Sequence, residues 1–260
     1  MPGRPDLVDV DFVAPRHLAG GGDPAWVTVP LHRACGWSHG NDPLVPRVLL
    51  SSPDQRALLR LEPANGLQWW ALHHTAGQGR PAWHMTFGGQ TPVETVAAVT
   101  DALTDPATSL ATDTDPFEPL LDAGWKPVRG ADGIFSPDGK VQFEHIVTEA
   151  SDVWLATTTL GPSQKPVWQA MFRENTPPVL ISAFTRALAD TSPVPRQYLS
   201  LTVPAYGTRL ISHTQRELPA RQVASALENR VRALAERRPT PPTPLRRPPQ
   251  PPQAGPRRLR

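Results

Sequence analysis

Ser52-Pro53-Asp54 recurs as Ser136-Pro137-Asp138, and the recurrence decides the fold. The offset is 84 residues (136 against 52), and Trp70 and Trp154 keep it. One residue then enters a loop. From there the offset is 85 for Pro81/Pro166, Trp83/Trp168, Phe87/Phe172, Thr91/Thr176, Pro92/Pro177, Ala98/Ala183, Ala102/Ala187, Leu103/Leu188 and Asp105/Asp190. Upstream, Pro30-Leu31 followed by Gly36-Trp37 matches Pro119-Leu120 followed by Gly124-Trp125. Agreement of spacing and residue type over this length marks one unit written twice.

Each copy reads the same way. A short apolar segment ending in Gly-Trp leads to a first strand, Val45 to Ser51 or Gly133 to Phe135. Ser-Pro-Asp is turn chemistry, since Pro fixes φ and the Ser and Asp side chains can bond nearby backbone. Further strands are expected at 56–62, 68–75 and 82–87, and at 140–147, 153–160 and 167–172, with Asn65-Gly66 as a tight turn. Thr91-Pro92-Val93-Glu94 predicts a helix with Thr at the N-cap, Pro at N1 and Glu closing a capping box. Thr176-Pro177 repeats that start, with Val179 in place of the Glu. The expected fold class is α+β: a tandem duplication of a small antiparallel sheet plus one helix, related by a pseudo-two-fold. A strand at 198–203 and a helix from about Pro219 to Arg237 should follow. The expected organisation is an N-terminal segment 1–23, repeats 24–107 and 113–192, a strand and helix at 197–237, and a Pro/Arg tail at 238–260.

The chain of 260 residues carries 33 prolines, nine of them from Pro239 onward, where no core-forming pattern repays ordering entropy and a disordered tail is expected. Seven arginines and no acid lie from Arg237 to Arg260. Taking those seven from the 26 basic side chains leaves 19 against 24 acids, a net of −5 for residues 1–236. A basic pI therefore describes the tail and not the globular part. A single cysteine, Cys35, excludes an internal disulfide framework and fits a reducing, cytoplasmic compartment. No apolar run suits a signal peptide or a membrane span.

Candidates for chemistry are few. His32, Cys35 and His39, with His17 as a possible fourth ligand, form the best metal-like group. A Gly-rich loop separates His17 from the rest, and Cys35 aligns with Ala123, so neither a metal nor another cofactor is expected. His73 and His74 are adjacent on a strand and point to opposite faces, which keeps them from lining one pocket. Their counterparts are Thr157 and Thr158, and no spacing supplies a catalytic partner. Asp54 and Asp138 repeat like paired acids, but a turn-capping role accounts for them better. Trp37/Trp125, Trp70/Trp154 and Trp83/Trp168 repeat and read as core, each indole N–H needing a partner. Trp26 and Trp69 have no counterpart and read as exposed, so with His73 and His74 they are the candidate partner surface.

The Ser-Pro-Asp turns, the Trp-bearing strands and the Thr-Pro helix starts resemble an actinobacterial family, the domain of unknown function 317 or SPDY domain. Residues 15–23 (Pro-Arg-His-Leu-Ala-Gly-Gly-Gly-Asp) and 29–37 (Val-Pro-Leu-His-Arg-Ala-Cys-Gly-Trp) resemble the N-terminal stretch of such proteins. The resemblance implies a tandem arrangement and no known activity, substrate or catalytic residue. Gln55 and Gly139 stand where tyrosine is often found, which marks a tolerant position.

Ser52, Pro53, Asp54, Trp70, Trp83, Thr91 and Pro92, with Ser136, Pro137, Asp138, Trp154, Trp168, Thr176 and Pro177, are thus the structural framework. What repeats is framework, while the histidines and the cysteine do not repeat. The leading expectation is a non-enzymatic module that binds another protein. Two alternatives are weak nucleic-acid association through the tail and a hydrolytic or zinc-dependent enzyme. Gly20-Gly21-Gly22 precedes Asp23-Pro24, a turn, so a phosphate-binding loop is not expected.

Overall fold

Alternation of apolar and polar residues writes the strands, because successive side chains point to opposite faces. Ala57-Leu58-Leu59-Arg60-Leu61, for example, buries its odd-numbered members and exposes Leu58 and Arg60. The computed structural model describes residues 6–40, 47–63, 68–77, 79–110, 114–130, 132–161, 165–196 and 209–237. In chain order its strands are β1 (Leu7–Ala14), β2 (Ser38–Gly40), β3 (Val48–Ser51), β4 (Ala57–Leu61), β5 (Gln68–His74) and β6 (Trp83–Gly88). Unit two supplies β7 (Lys126–Pro127), β8 (Gly133–Phe135), β9 (Val141–Thr148), β10 (Ser151–Thr158) and β11 (Trp168–Arg173). Two further strands are β12 (Val194–Arg196) and β13 (Ser212–Pro219). The helices are α1 (Ala25–Arg33), α2 (Val93–Thr104), α3 (Glu118–Asp122), α4 (Pro178–Ala189) and α5 (Ala220–Glu236).

The units keep one register. Ala57 faces His74 as Val141 faces Thr158, and Ser51 faces Leu58 as Phe135 faces Gln142. Sequence reasoning expects a small sheet in each unit. The structure joins them into one ten-stranded antiparallel sheet, ordered β2-β3-β4-β5-β6-β11-β10-β9-β8-β7. At the seam Met85 lies opposite Phe172, Thr86 opposite Met171, and Phe87 opposite Ala170. Pairing the last strand of each unit removes two sheet edges, whose N–H and C=O groups would otherwise be unpaired.

One face of this sheet is the core. Leu59, Leu72, Met85, Phe87, Phe143 and Phe172 are fully buried there, with α2 and α4 packed on each other above them. Phe184 of α4 lies 6.0 Å from Phe87 and 5.1 Å from Phe172, ring to ring, which ties both units to one helix. Each unit holds two helices rather than the single one expected. The apolar segment before Gly-Trp is itself helical (α1 and α3), with α1 against α2 and α3 against α4.

A second sheet, β12-β1-β13, went unread in the sequence. Its central strand is the alternating run Leu7-Val8-Asp9-Val10-Asp11-Phe12-Val13, within the segment taken as leading into unit one. The strand expected at 198–203, the Asn65-Gly66 turn and the tail at 238–260 lie outside the described residues. The helix α5 runs close to its expected bounds and packs on α1, and its Arg230 donates to Asp101 of α2 at 2.7 and 3.0 Å.

The capping box is a further correction. Helix α2 begins at Val93 with Pro92 at the N-cap and no side-chain cap, and Thr91 Oγ1 is buried without a hydrogen-bond partner. Backbone carbonyls replace the box: Val93 N–H donates to Gly21 O at 2.9 Å and Thr95 N–H to Pro92 O at 2.9 Å. That leaves Glu94 available to Arg196, whose guanidinium meets it at 2.6 and 2.8 Å in a nearly water-free setting. Among the described residues no helix is long and apolar enough to cross a membrane.

Candidate functional site

Ser-Pro-Asp builds the same turn twice. Ser52 Oγ donates to Asp54 Oδ1 at 2.6 Å and accepts from the N–H of Ala57 at 2.8 Å. The N–H of Arg56 donates to Asp54 Oδ1 at 3.1 Å. In unit two Ser136 donates to Asp138 Oδ1 at 2.6 Å and accepts from Val141 N–H at 2.9 Å, and Lys140 N–H reaches Asp138 at 3.1 Å. The residue after the Asp, Gln55 or Gly139, has φ of 60° or 66°. The turn requires this left-handed conformation, which glycine adopts without strain.

The turns differ at the second carboxylate oxygen. Asp138 Oδ2 is bonded at 2.8 Å to Nε2 of His17, which arrives on the 3-10 turn Arg16–Leu18 just after β1. The neighbouring Arg16 donates to the Ala187 carbonyl at 2.8 Å, in the last turn of α4, and to Asp190 Oδ2 at 2.6 Å. The indole N–H of Trp168 donates to the His17 carbonyl at 2.8 Å. Arg16, His17 and Leu18 are all buried. Burial acts to raise the Asp138 carboxyl, yet the bond and charge of His17, with Ser136 and the Lys140 N–H, hold it well below the usual carboxylate range. Unit two therefore holds a peptide segment of its own chain in a groove between the Ser-Pro-Asp turn and the end of α4.

Among the described residues no segment fills the corresponding groove of unit one. It forms a cavity of about 250 Å3 lined by Trp37, Ser52, Asp54, His74, Leu103 and Thr104, among others. Asp54 takes its hydrogen bonds from its own turn through Oδ1, and the Asp105 carboxylate likewise accepts from Ala107 N–H through Oδ1. Among the described residues nothing bonds the Oδ2 of either. These two atoms correspond to those that receive His17 and Arg16 in unit two. The Ser52 hydrogen bond, opposed by burial, sets the Asp54 carboxyl below its ordinary value.

The remaining candidates scatter. Nδ1 of His32 bonds the Trp37 carbonyl at 2.8 Å, His39 is exposed on the edge strand β2, Cys35 is buried, and His17 is committed to Asp138. Among the described residues no three His, Cys, Asp or Glu side chains gather as metal ligands would. Asp54 and Asp138 serve separate grooves. His73 stacks on His84 (5.4 Å) and His74 on Trp83 (5.2 Å). Although adjacent on one strand, both line a cavity of about 410 Å3 with Asp152 and Arg173, contrary to the expectation that they could not share a pocket. Burial, then the neighbouring charges of His84 and Arg60, pushes His73 down; burial and Arg173 do the same to His84.

The two unpaired tryptophans are half-buried, not exposed. Trp26 lies beneath Arg230, 5.3 Å from its ring centre, and its carbonyl accepts from Arg230. Trp69, at an irregularity in β5, covers Gly89, where a Cβ would stand 2.4 Å from the ring. Trp37, Trp70, Trp83, Trp125 and Trp168 are buried and Trp154 is half-buried. Sequence reasoning missed Arg16, His17, Asp105 and Asp190 as a working set. The aspartate pair was already visible at the 85-residue offset, but its ligand lay outside the repeat.

A duplicated α+β unit with a Ser-Pro-Asp turn at the mouth of a groove defines a tandem-domain protein. The family model described as SPDY, domain of unknown function (DUF317), matches residues 51–108 and again 135–194, which places one copy of that domain in each unit. No curated protein and no solved structure matches it.

Proposed function

We propose that this chain is a non-enzymatic protein-interaction module whose units hold extended peptide segments beside their Ser-Pro-Asp turns. The observation that carries this reading is the seating of Arg16–Leu18 in unit two by four hydrogen bonds, two of them to carboxylates. A groove that grips main chain and charged side chains together is built for peptide, and its serine hydroxyl is spent on the aspartate of its own turn. We further infer an approximate two-fold axis between the units, supported by Thr86 facing Met171, since the 85-residue offset makes these equivalent positions.

Panning a random peptide library over the full chain, and over a chain ending at Arg237, tests the reading. Peptides that bind both saturably and compete with one another are expected. A library that yields none, alongside turnover of a substrate by the purified protein, would overturn it.

A further inference from the structure

The two grooves share a design and differ in occupancy, and that difference identifies a ligand. In unit two the occupant is Arg16-His17-Leu18: a guanidinium on Asp190 and the carbonyl of Ala187, an imidazole on Asp138, a main-chain carbonyl on the Trp168 indole, and a buried leucine. Unit one repeats each of those partners. Asp105 stands for Asp190, Ala102 for Ala187, Asp54 for Asp138 and Trp83 for Trp168. Among the described residues nothing accepts from the Trp83 indole N–H, and nothing reaches Oδ2 of Asp54 or of Asp105. His74 replaces Thr158 at the groove wall; its ring lies on Trp83, and its buried Nδ1 has no hydrogen-bond partner. The cavity itself is lined by the Asp54 carboxylate, His74 and an apolar floor of Trp37 and Leu103, and Asp105 and Trp83 hold beside it the positions that Asp190 and Trp168 hold in unit two.

Resting on the interaction reading above, we infer that the unit-one groove binds a short extended peptide of a partner protein with two adjacent basic residues followed by a leucine-like residue. The first cation meets Asp105 and the carbonyl at the end of α2, and the second meets Asp54. The main-chain carbonyl of the second basic residue accepts from Trp83, and the apolar residue enters the cavity beside Trp37 and Leu103. Charge complementarity favours this occupant, because residues 1–236 carry a net −5 and the free groups of the groove are carboxylates.

The test is binding of a labelled peptide with the sequence of residues 13–19, Val-Ala-Pro-Arg-His-Leu-Ala, to the full chain by fluorescence anisotropy. A scrambled peptide and one with Glu in place of Arg serve as controls. Saturable one-to-one binding is expected, weakened about tenfold or more by Asp54→Asn and by Asp105→Asn. Asp9→Asn, an exposed carboxylate on the other sheet, should leave it unchanged. Equal loss with Asp9→Asn, or equal binding of the scrambled peptide, would reduce the effect to general charge attraction and overturn the inference. Binding that appears only after residues 238–260 are removed would make the Arg-rich tail the occupant, and the partner assignment would fall. If library peptides bind the chain but neither Asp54→Asn nor Asp105→Asn weakens them, this inference fails and the interaction reading stands.

Discussion

A carboxylate can do two jobs at once only if its oxygens face different ways, and Asp138 does so. Oδ1 closes the Ser-Pro-Asp turn and Oδ2 anchors His17. Replacing it with Asn keeps most of the turn and loses the charged anchor. At neutral pH Asp138→Asn should cost about 1 kcal/mol, a value at the low end for a charged hydrogen bond because the side chain is 38% exposed and partly screened. The sign with pH follows from a folded pKa below the unfolded one. The contribution is fully present above the ordinary aspartate range near pH ~4 and is lost as pH falls through the depressed folded value. Urea denaturation of both proteins from pH 5 to pH 2.5 should therefore show a gap that narrows steadily as pH falls below about pH 4. A gap unchanged down to pH 2.5 would mean that the folded state does not hold this carboxylate in its charged form.

Among the elements, β6, β11 and α4 meet at the Phe87, Phe172 and Phe184 cluster, where all three rings are fully buried. Phe172→Ala should destabilise the whole protein by about 3–5 kcal/mol, in a single transition by calorimetry, because the rings belong to both units. Two separated transitions would show that the units melt independently. The strands around this cluster were legible in the sequence to within a residue or two, since alternation and the repeat each located them. The pairing of β6 with β11 was not legible. Nothing in Trp83–Gly88 distinguishes a strand that pairs with its duplicate from one that ends a sheet. The capping box at Thr91 and Glu94 misled for a related reason: the distant Gly21 carbonyl and Arg196 guanidinium took the groups that the local pattern would have paired. Of the candidate site, the Asp54/Asp138 and Asp105/Asp190 pairs could be read from the repeat. Their ligand, Arg16-His17, lay in a segment with no counterpart to compare.

At the scale of the molecule, the seam decides what can be separated. Halves made as two polypeptides, divided within residues 111–113, would each carry an unpaired β6 or β11 and an apolar face of α2 or α4. Each half alone should self-associate or aggregate in size-exclusion chromatography, and the mixed halves should recover a one-to-one complex. Two monomeric, folded halves would show that the seam adds little. Under the two-fold proposed above, the contact at Thr86 and Met171 is isologous, a surface meeting its own equivalent. Two single units could associate through it only as fast and as often as their concentration allowed. Joined in one chain, they meet at an effective concentration that dilution cannot change. Covalent joining also ends the requirement that both partners be identical. One groove is thereby free to close over its own chain's arm while the other, on the inference above, takes a ligand, a division of labour that a dimer of identical units cannot inherit.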